Sequence, residues 1–221
     1  MTSAGGDLVI IGAGGFGRET ADAVRAANAA GGSWRLLGYL DDDPALSGSC
    51  LDGVPVLGGT GELAGLPDAL VVVCTGRPDN YLSRPRIVGG LGLPAERYAT
   101  IIHPTASVSV SSRVGPGSVL LAHVAATAAV RIGSHVAVMP QVTLTHDDVV
   151  GDFATLASGA RLGGGVHIGA GAYLGAGALV RENRAVGPGS LVGMGSVVLG
   201  DVPAGQVWAG IPARFLRNCP R

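Results

Sequence analysis

The segment Val138–Ile168, VMPQVTLTHDDVVGDFATLASGARLGGGVHI, carries an aliphatic residue at every sixth position: Val138, Leu144, Val150, Leu156, Leu162 and Ile168. The column continues back through Ile132, Ala126, Leu120, Val114 and Val108 to Ile102, and forward through Leu174, Val180, Val186 and Val192 to Val198. Seventeen consecutive positions are filled this way, although Leu, Ile and Val make up only 58 of the 221 residues. Four residues after each stands a small or β-branched residue, as at Ala106, Ser118, Val136, Val142, Ala154, Ala160 and Ser196; Asp148 and Arg184 break this second column. Gly often follows the aliphatic residue directly, as at Gly115, Gly133, Gly151 and Gly163. A period of six is neither the 3.6 of a helix nor the 2 of a flat strand. A short strand and a tight turn, repeated, aim one aliphatic and one small side chain inward per six residues. Three such faces close a triangular coil of eighteen residues whose stacked neighbours satisfy each other's backbone groups. The spacing predicts a parallel β-helix of hexapeptide repeats over 101–203, five to six coils and roughly 25 Å long at ~4.8 Å per coil.

Composition agrees with a repetitive architecture. Gly accounts for 38 of 221 residues, more than twice the usual ~7%, with no Gly-X-Y period. Apolar residues make up 47%, aromatic ones 4% and charged ones 14%. The net charge is −1 and no Lys occurs, so a basic footprint for nucleic acid is not expected. Cys50, Cys74 and Cys219 are odd in number and lack CxxC spacing, which fits a reducing, cytoplasmic compartment. The longest apolar run near the start, Leu8–Ile11, is far too short for a signal peptide or a membrane span.

Residues 1–100 read differently. Leu8–Ile11 is a buried strand, Gly12-Ala13-Gly14-Gly15-Phe16-Gly17 a glycine loop, and Arg18–Ala30 an Ala-rich helix. This is GxGxxG between a strand and a helix, where Gly lets backbone approach a phosphate at a helix N-terminus. A second strand, Leu36–Leu40, ends in Asp41-Asp42-Asp43, about where a ribose-binding acid falls in dinucleotide folds. A third, Leu70–Cys74, runs into Thr75-Gly76-Arg77. A short Rossmann-like α/β unit is expected, with Gly12, Gly14, Gly15, Phe16, Gly17, Asp41, Asp42 and Gly76 as candidates for a nucleotide-sugar diphosphate. A tight strand–helix turn without a ligand is the competing reading. About a hundred residues supply only one mononucleotide half, which argues against a dinucleotide dehydrogenase.

GAGGFGRE (Gly12–Glu19) and YLDDD (Tyr39–Asp43) running into hexapeptide repeats, with THDDVVGDF (Thr145–Phe153) and a closing WAGIPAR (Trp208–Arg214), resemble the sugar acyltransferases of the sialic acid O-acetyltransferase and bacillosamine N-acetyltransferase type. The resemblance spans essentially the whole chain. It implies a left-handed β-helix, a homotrimer, and acetyl transfer from acetyl-CoA to an amino group, less often a hydroxyl, of a nucleotide-linked sugar. Residues 204–221 would then form a tail closing over the coenzyme, with Arg214 or Arg217 meeting its phosphates; a solvated tail is the competing reading.

His146 is the candidate base. It lies two positions after inward Leu144, so its ring should face out of the prism, toward a neighbouring subunit in a trimer. Asp147 follows it, and a carboxylate beside an imidazole orients it and raises its basicity. The resemblance places the catalytic base at His146 and its acid at Asp147. Asp148 is either a buried, hydrogen-bonded acid or the mark of a bulge. Eighteen residues on from His146 stands Gly164, within Gly163-Gly164-Gly165, whose amide is a candidate for binding the acetyl oxygen and the coenzyme; a plain glycine turn is the alternative. None of the five histidines is 18 or 36 residues from another, and no His-x4-His pair occurs, so no metal is expected. Against the bacillosamine-type pattern, Phe16 replaces a His, Met139 an Asn, and Thr155 a His near the acetyl group. Acyl transfer to an aminoglycoside or another natural-product amine, and a non-catalytic trimeric scaffold, are the alternatives.

Overall fold

A computed structural model of the chain describes residues 5–219. The N-terminal unit is a five-stranded sheet of β1 (Gly6–Ile11), β2 (Trp34–Leu40), β3 (Cys50–Leu51), β4 (Val54–Gly58) and β5 (Leu70–Val73), ordered β3-β4-β2-β1-β5. All neighbours are parallel except the β3–β4 hairpin. Strand β1, paired on both edges, is apolar along Leu8–Ile11 because both of its faces are covered. Helix α1 (Gly15–Ala29) sends Ala21 and Val24 into one core, while α2 (Ser83–Leu91) packs Ile87, Val88 and Leu91 against the other. Helix α1 starts at Gly15 rather than Arg18, because Gly15-Phe16-Gly17 wind into its first turn under an Arg18 N–H to Gly14 C=O bond of 3.0 Å. The strand–turn–helix reading thus holds, and the glycine loop is shorter than expected. The β3–β4 hairpin and α2 lack a long periodic pattern and were not anticipated.

From Ile101 onward the chain is a left-handed parallel β-helix of two-residue strands. Face one runs from Ile101–Ile102 through Val119–Leu120, Ala137–Val138, Thr155–Leu156 and Tyr173–Leu174 to Leu191–Val192. Face two runs from Ser107–Val108 through Thr143–Leu144 and Arg161–Leu162 to Val197–Val198, and face three from Arg113–Val114 through Val149–Val150 to Ala185–Val186. Strand partners are eighteen residues apart, as in Ala126 beside Leu144 and Val138 beside Leu156. Each coil donates to the next, for example Ala125 N–H to Val142 C=O at 2.9 Å and Thr143 N–H to Ala160 C=O at 3.0 Å. The six-residue column is the core: Leu120, Val138, Leu144, Leu156, Leu174 and Val192 are wholly buried. Residues 206–218 do not stay a free tail. Gln206–Gly210 pairs parallel with Leu191–Val192 and folds back on Ala213–Asn218, extending face one to eight strands.

The two units share a core. Ala99, just before the first coil, and Ile101, Val119 and Leu121 of the first coils lie in one apolar cluster with Val24 of α1 and Leu8 and Ile10 of β1. The α/β unit therefore sits on face one and on the corner between faces three and one. No helix among the described residues is long and apolar enough to cross a membrane.

Candidate active site

Leu144 ends a face-two strand and Val149 begins a face-three strand, so Thr145–Asp148 form the corner between these faces. With Leu144 buried, the turn throws His146 outward, and its side chain is 68% exposed. Asp147 takes the left-handed conformation the corner needs, φ 63°, one of the few side chains that tolerates it. Its Oδ2 is 2.9 Å from His146 Nδ1, which leaves Nε2 as the free ring nitrogen when the proton resides on Nδ1. One coil on, the imidazole lies over Gly164: a Cβ built there would overlap Nε2 and Cε1. The three glycines have separate duties. Gly163 lets Glu182 approach, Gly165 supplies φ 70°, and Gly164 makes room for the ring. The Gly164 N–H has no protein acceptor among the described residues, whereas its C=O accepts from Asn183 N–H at 2.9 Å. Gly164→Ala keeps an allowed backbone but pushes the ring aside. We expect turnover to fall by about 10²-fold with an unchanged melting temperature, read from steady-state kinetics and a thermal melt.

Asp148, which breaks the column of small residues, is wholly buried. Its Oδ1 accepts from Val166 N–H and its Oδ2 from Thr145 N–H, each at 2.8 Å. Face three runs unbroken through Arg131, Val149 and His167, so the acid sits in a regular coil and not in a bulge. Burial raises its pKa to about 6 against the pull of those two amides and of His146 and His167.

On the other side of the prism the glycine loop opens a cleft of about 540 Å³, lined by Gly12, Gly14, Gly15, Phe16, Asp41 and Gly76 together with Thr75, Arg77, Asn80 and Ser83. Gly14 and Gly15 face open space, and no side chain caps the helix start they form. Gly17 does not line the cleft; a Cβ there would collide with the Gly12 carbonyl, so it serves helix–strand packing. Asp41 supports the loop, accepting from Ala13 N–H at 2.8 Å and Asp43 N–H at 3.0 Å. Asp42 is turned away, its Oδ1 taken by the Thr60 N–H at 2.7 Å and hydroxyl at 2.9 Å. Phe16 and Gly76 also border a smaller cavity of about 150 Å³ against face one, where Met139, Thr155, Ser158 and Tyr173 meet them.

Arg84 joins the two units at that cavity, and sequence reasoning missed it. It is 1% exposed, and its guanidinium reaches Thr75 C=O at 2.7 Å, His135 C=O at 3.1 Å, Phe153 C=O at 2.8 Å, Ala154 C=O at 3.0 Å and Thr155 Oγ1 at 2.7 Å. All five acceptors are neutral, and burial lowers its pKa to about 10. In sequence, an Arg in the first turn of a helix looks like an ordinary solvated charge. Only the docking of α2 onto coils two and three buries it. Thr155, expected near the acetyl group, therefore has its hydroxyl engaged by Arg84.

Beside this clamp His135 is buried, stacked on Phe153 at 5.0 Å and edge-on to Tyr98 at 4.5 Å, with Nδ1 unpartnered. Burial, then the Arg84 charge, hold its pKa below the ordinary 6.5, with Asp152 opposing. Well above pH 6.5 the ring is neutral in both folded and unfolded chains. As pH falls below 6.5 the unfolded chain takes up a proton that the folded site resists, so stability drops. Thermal melts from pH 7 to 5 should show a steeper fall for the wild type than for His135→Phe.

His146 and the clefts do not meet within one chain. His146 stands at the corner of faces two and three, whereas Thr155, Met139 and the glycine-loop cleft lie along face one. Arg214 is exposed on the closing hairpin, which also belongs to face one. Among the described residues no group of three His, Cys, Asp or Glu side chains is placed to hold a metal ion.

The chain thus combines a left-handed β-helix that presents an outward His–Asp pair with a Rossmann-like unit. A family profile for the PglD N-terminal domain matches residues 7–80. Among solved structures, the acetyltransferase domain of PglB from Neisseria gonorrhoeae FA1090, in complex with acetyl coenzyme A, is 32% identical with a TM-score of 0.83, covering 96% of this chain and 100% of that one. A histidine-to-alanine mutant of GDP-perosamine N-acetyl transferase from Caulobacter crescentus, in complex with CoA and GDP-perosamine, is 31% identical with a TM-score of 0.83, covering 96% and 98%. WeeI from Acinetobacter baumannii AYE is 29% identical with a TM-score of 0.80, covering 95% and 99%. No curated protein sequence matches at a significant level. The chain belongs to the PglD-type family of CoA-dependent sugar N-acetyltransferases.

Proposed function

We propose that this enzyme transfers the acetyl group of acetyl-CoA to the amino group of a nucleotide-linked amino deoxysugar, with His146 as general base. One observation carries the reading: Nε2 of an imidazole held by Asp147 lies over a glycine whose N–H is unclaimed. In that reaction the amine lone pair attacks the thioester carbonyl carbon while Nε2 takes the amine proton. The developing oxyanion accepts from the Gly164 N–H, a contact worth about 3 kcal/mol in comparable sites. The carbon–sulfur bond then breaks, and the thiolate takes its proton from the imidazolium. Asp147 keeps the ring in the tautomer that leaves Nε2 free and stabilises the imidazolium.

The open start of α1, with uncapped N–H groups around Gly14 and Gly15, suits the diphosphate of the sugar nucleotide. Asp41 takes part by holding that loop. The smaller cavity of Phe16, Met139 and Tyr173 suits an apolar part of the sugar. Because base and cleft occupy different edges of one prism, a neighbouring copy supplies face one to His146, and the working enzyme is a homotrimer with sites between subunits. Arg214 lies on that face, where a coenzyme phosphate would pair with it. PglB in complex with acetyl coenzyme A, and the Caulobacter enzyme in complex with CoA and GDP-perosamine, support this substrate pair.

Thiol release from acetyl-CoA against UDP-, dTDP- and GDP-linked amino sugars, free aminoglycosides and hydroxyl-only sugars tests the reading. Turnover with one nucleotide-linked amino sugar is the expected result. Turnover only with nucleotide-free amines would make the glycine loop a structural turn and overturn the acceptor assignment.

A further inference from the structure

We propose that Asp148 is a positioning residue for acyl transfer: its carboxylate ties the turn that carries His146 to the turn that carries Gly164. The proposal rests on the reading of His146 as the base. Oδ2 holds the N–H of Thr145, the residue just before His146, and Oδ1 holds the N–H of Val166, two residues after Gly164. Two further bonds brace the same pair of turns, from Thr145 Oγ1 to Leu162 C=O at 3.1 Å and from Gly165 N–H to His146 C=O at 2.9 Å.

The fold by itself does not ask for an acid here. The equivalent residues one coil before and one coil after are Val130 and Val166, both buried in the apolar core. Where this column needs only a link to the next coil, a serine provides it: Ser112 and Ser118 hydroxyls accept from the N–H of Val130 and Val136 at 3.0 and 2.9 Å. A carboxylate adds the second arm, which reaches back to Thr145. That arm bears only on the corner that presents His146.

The acid also burdens the fold. Its folded-state pKa of about 6 lies above the 3.8 of an unperturbed Asp. Its contribution to stability is therefore present below about pH 4 and lost as pH rises through about 6. At neutral pH the chain holds a desolvated carboxylate where valine packs in the neighbouring coils. A group that costs stability and braces one functional turn is the signature of a residue retained for the site.

The test compares wild type with Asp148→Val and Asp148→Asn by three readouts: melting temperature, kcat and KM for acetyl-CoA, and the ring signals of His146 in histidine-labelled protein, assigned by their loss in His146→Ala. Asp148→Val should melt at or above wild type at pH 8 with a displaced His146 signal. Its kcat should fall by at least about tenfold with little change in KM, as for a misplaced catalytic group. Asp148→Asn keeps one acceptor but sets an NH₂ against the Thr145 N–H, so it should also displace the signal and lower kcat. Wild-type ring signals and kcat in Asp148→Val overturn the proposal, as does failure of that variant to fold. If His146→Ala retains full turnover, the general-base reading fails; a displaced ring signal in Asp148→Val then still supports the tie between the two turns. The ring signals need no acceptor, so they decide the tie even where no sugar is turned over.

Discussion

His146→Ala should lose acetyl transfer by roughly 10²–10⁴-fold in kcat, the usual contribution of a positioned general base. The ring stands in solvent with its side chain 68% exposed and makes no core contact, so the melting temperature should hold within experimental error. Acetyl-CoA affinity by calorimetry should change little, because the proton taken from the amine matters only once attack begins. Asp147→Asn is the companion variant. It keeps the left-handed corner but weakens the partner on Nδ1, and a smaller loss is expected, since a supporting group contributes less than the base it supports. A His146→Ala enzyme with wild-type kcat on the preferred acceptor would rule out this imidazole as the base.

The second large effect concerns stability. Arg84→Ala removes a side chain that bonds Thr75 of the α/β unit and His135, Phe153 and Thr155 of the β-helix together. The carbonyls of Thr75, His135 and Phe153 lose their guanidinium donor at a buried junction, and the vacated volume opens beside the Gly76 loop. A loss of about 3–5 kcal/mol is expected, from buried carbonyls left without a donor and from the cavity the long side chain vacates. Denaturant unfolding followed by tryptophan emission reads it, with Trp34 in the α/β unit and Trp208 in the closing hairpin. Because Gly76 and Thr75 line the cleft, KM for the acceptor should rise as well. Arg84→Lys, which keeps the charge but not the five-donor fork, should recover only part of either effect. A stability change below about 1 kcal/mol, typical of a surface substitution, would mean that the junction is held by its apolar cluster and by Tyr81, whose hydroxyl donates to Gly189 C=O at 2.8 Å.

How much of this was legible in the sequence differs from residue to residue. The coil arithmetic carried furthest: strands eighteen residues apart stack in register, so Gly164 had to fall beneath His146, and a Cβ there does meet the imidazole. The same arithmetic kept the five histidines from forming a column. Local chemistry read well wherever backbone geometry is repetitive or tightly constrained, as at the Gly12–Gly17 turn. Asp148 was visible as an exception to its column, although the sequence left a bulge and a buried acid equally open. Gly17 and Asp42 share a motif with true cleft residues, yet packing against Gly12 and bonding to Thr60 take them elsewhere.

By itself the sequence determined the prism, the register of its coils, the outward course of His146 and Asp147, and the strand–loop–helix that opens the cleft. Each follows from a period or a turn that local interactions impose within one or two coils. Tertiary structure alone decided which edge of the prism receives the α/β unit, and hence that His146 and the glycine-loop cleft lie apart in one chain. It also decided that Arg84 is a buried clamp rather than a solvated charge, and that both oxygens of Asp148 find amide partners. Those outcomes depend on contacts between residues such as Arg84 and Phe153, 69 positions apart. No spacing rule encodes such contacts, because they arise only when two finished surfaces dock.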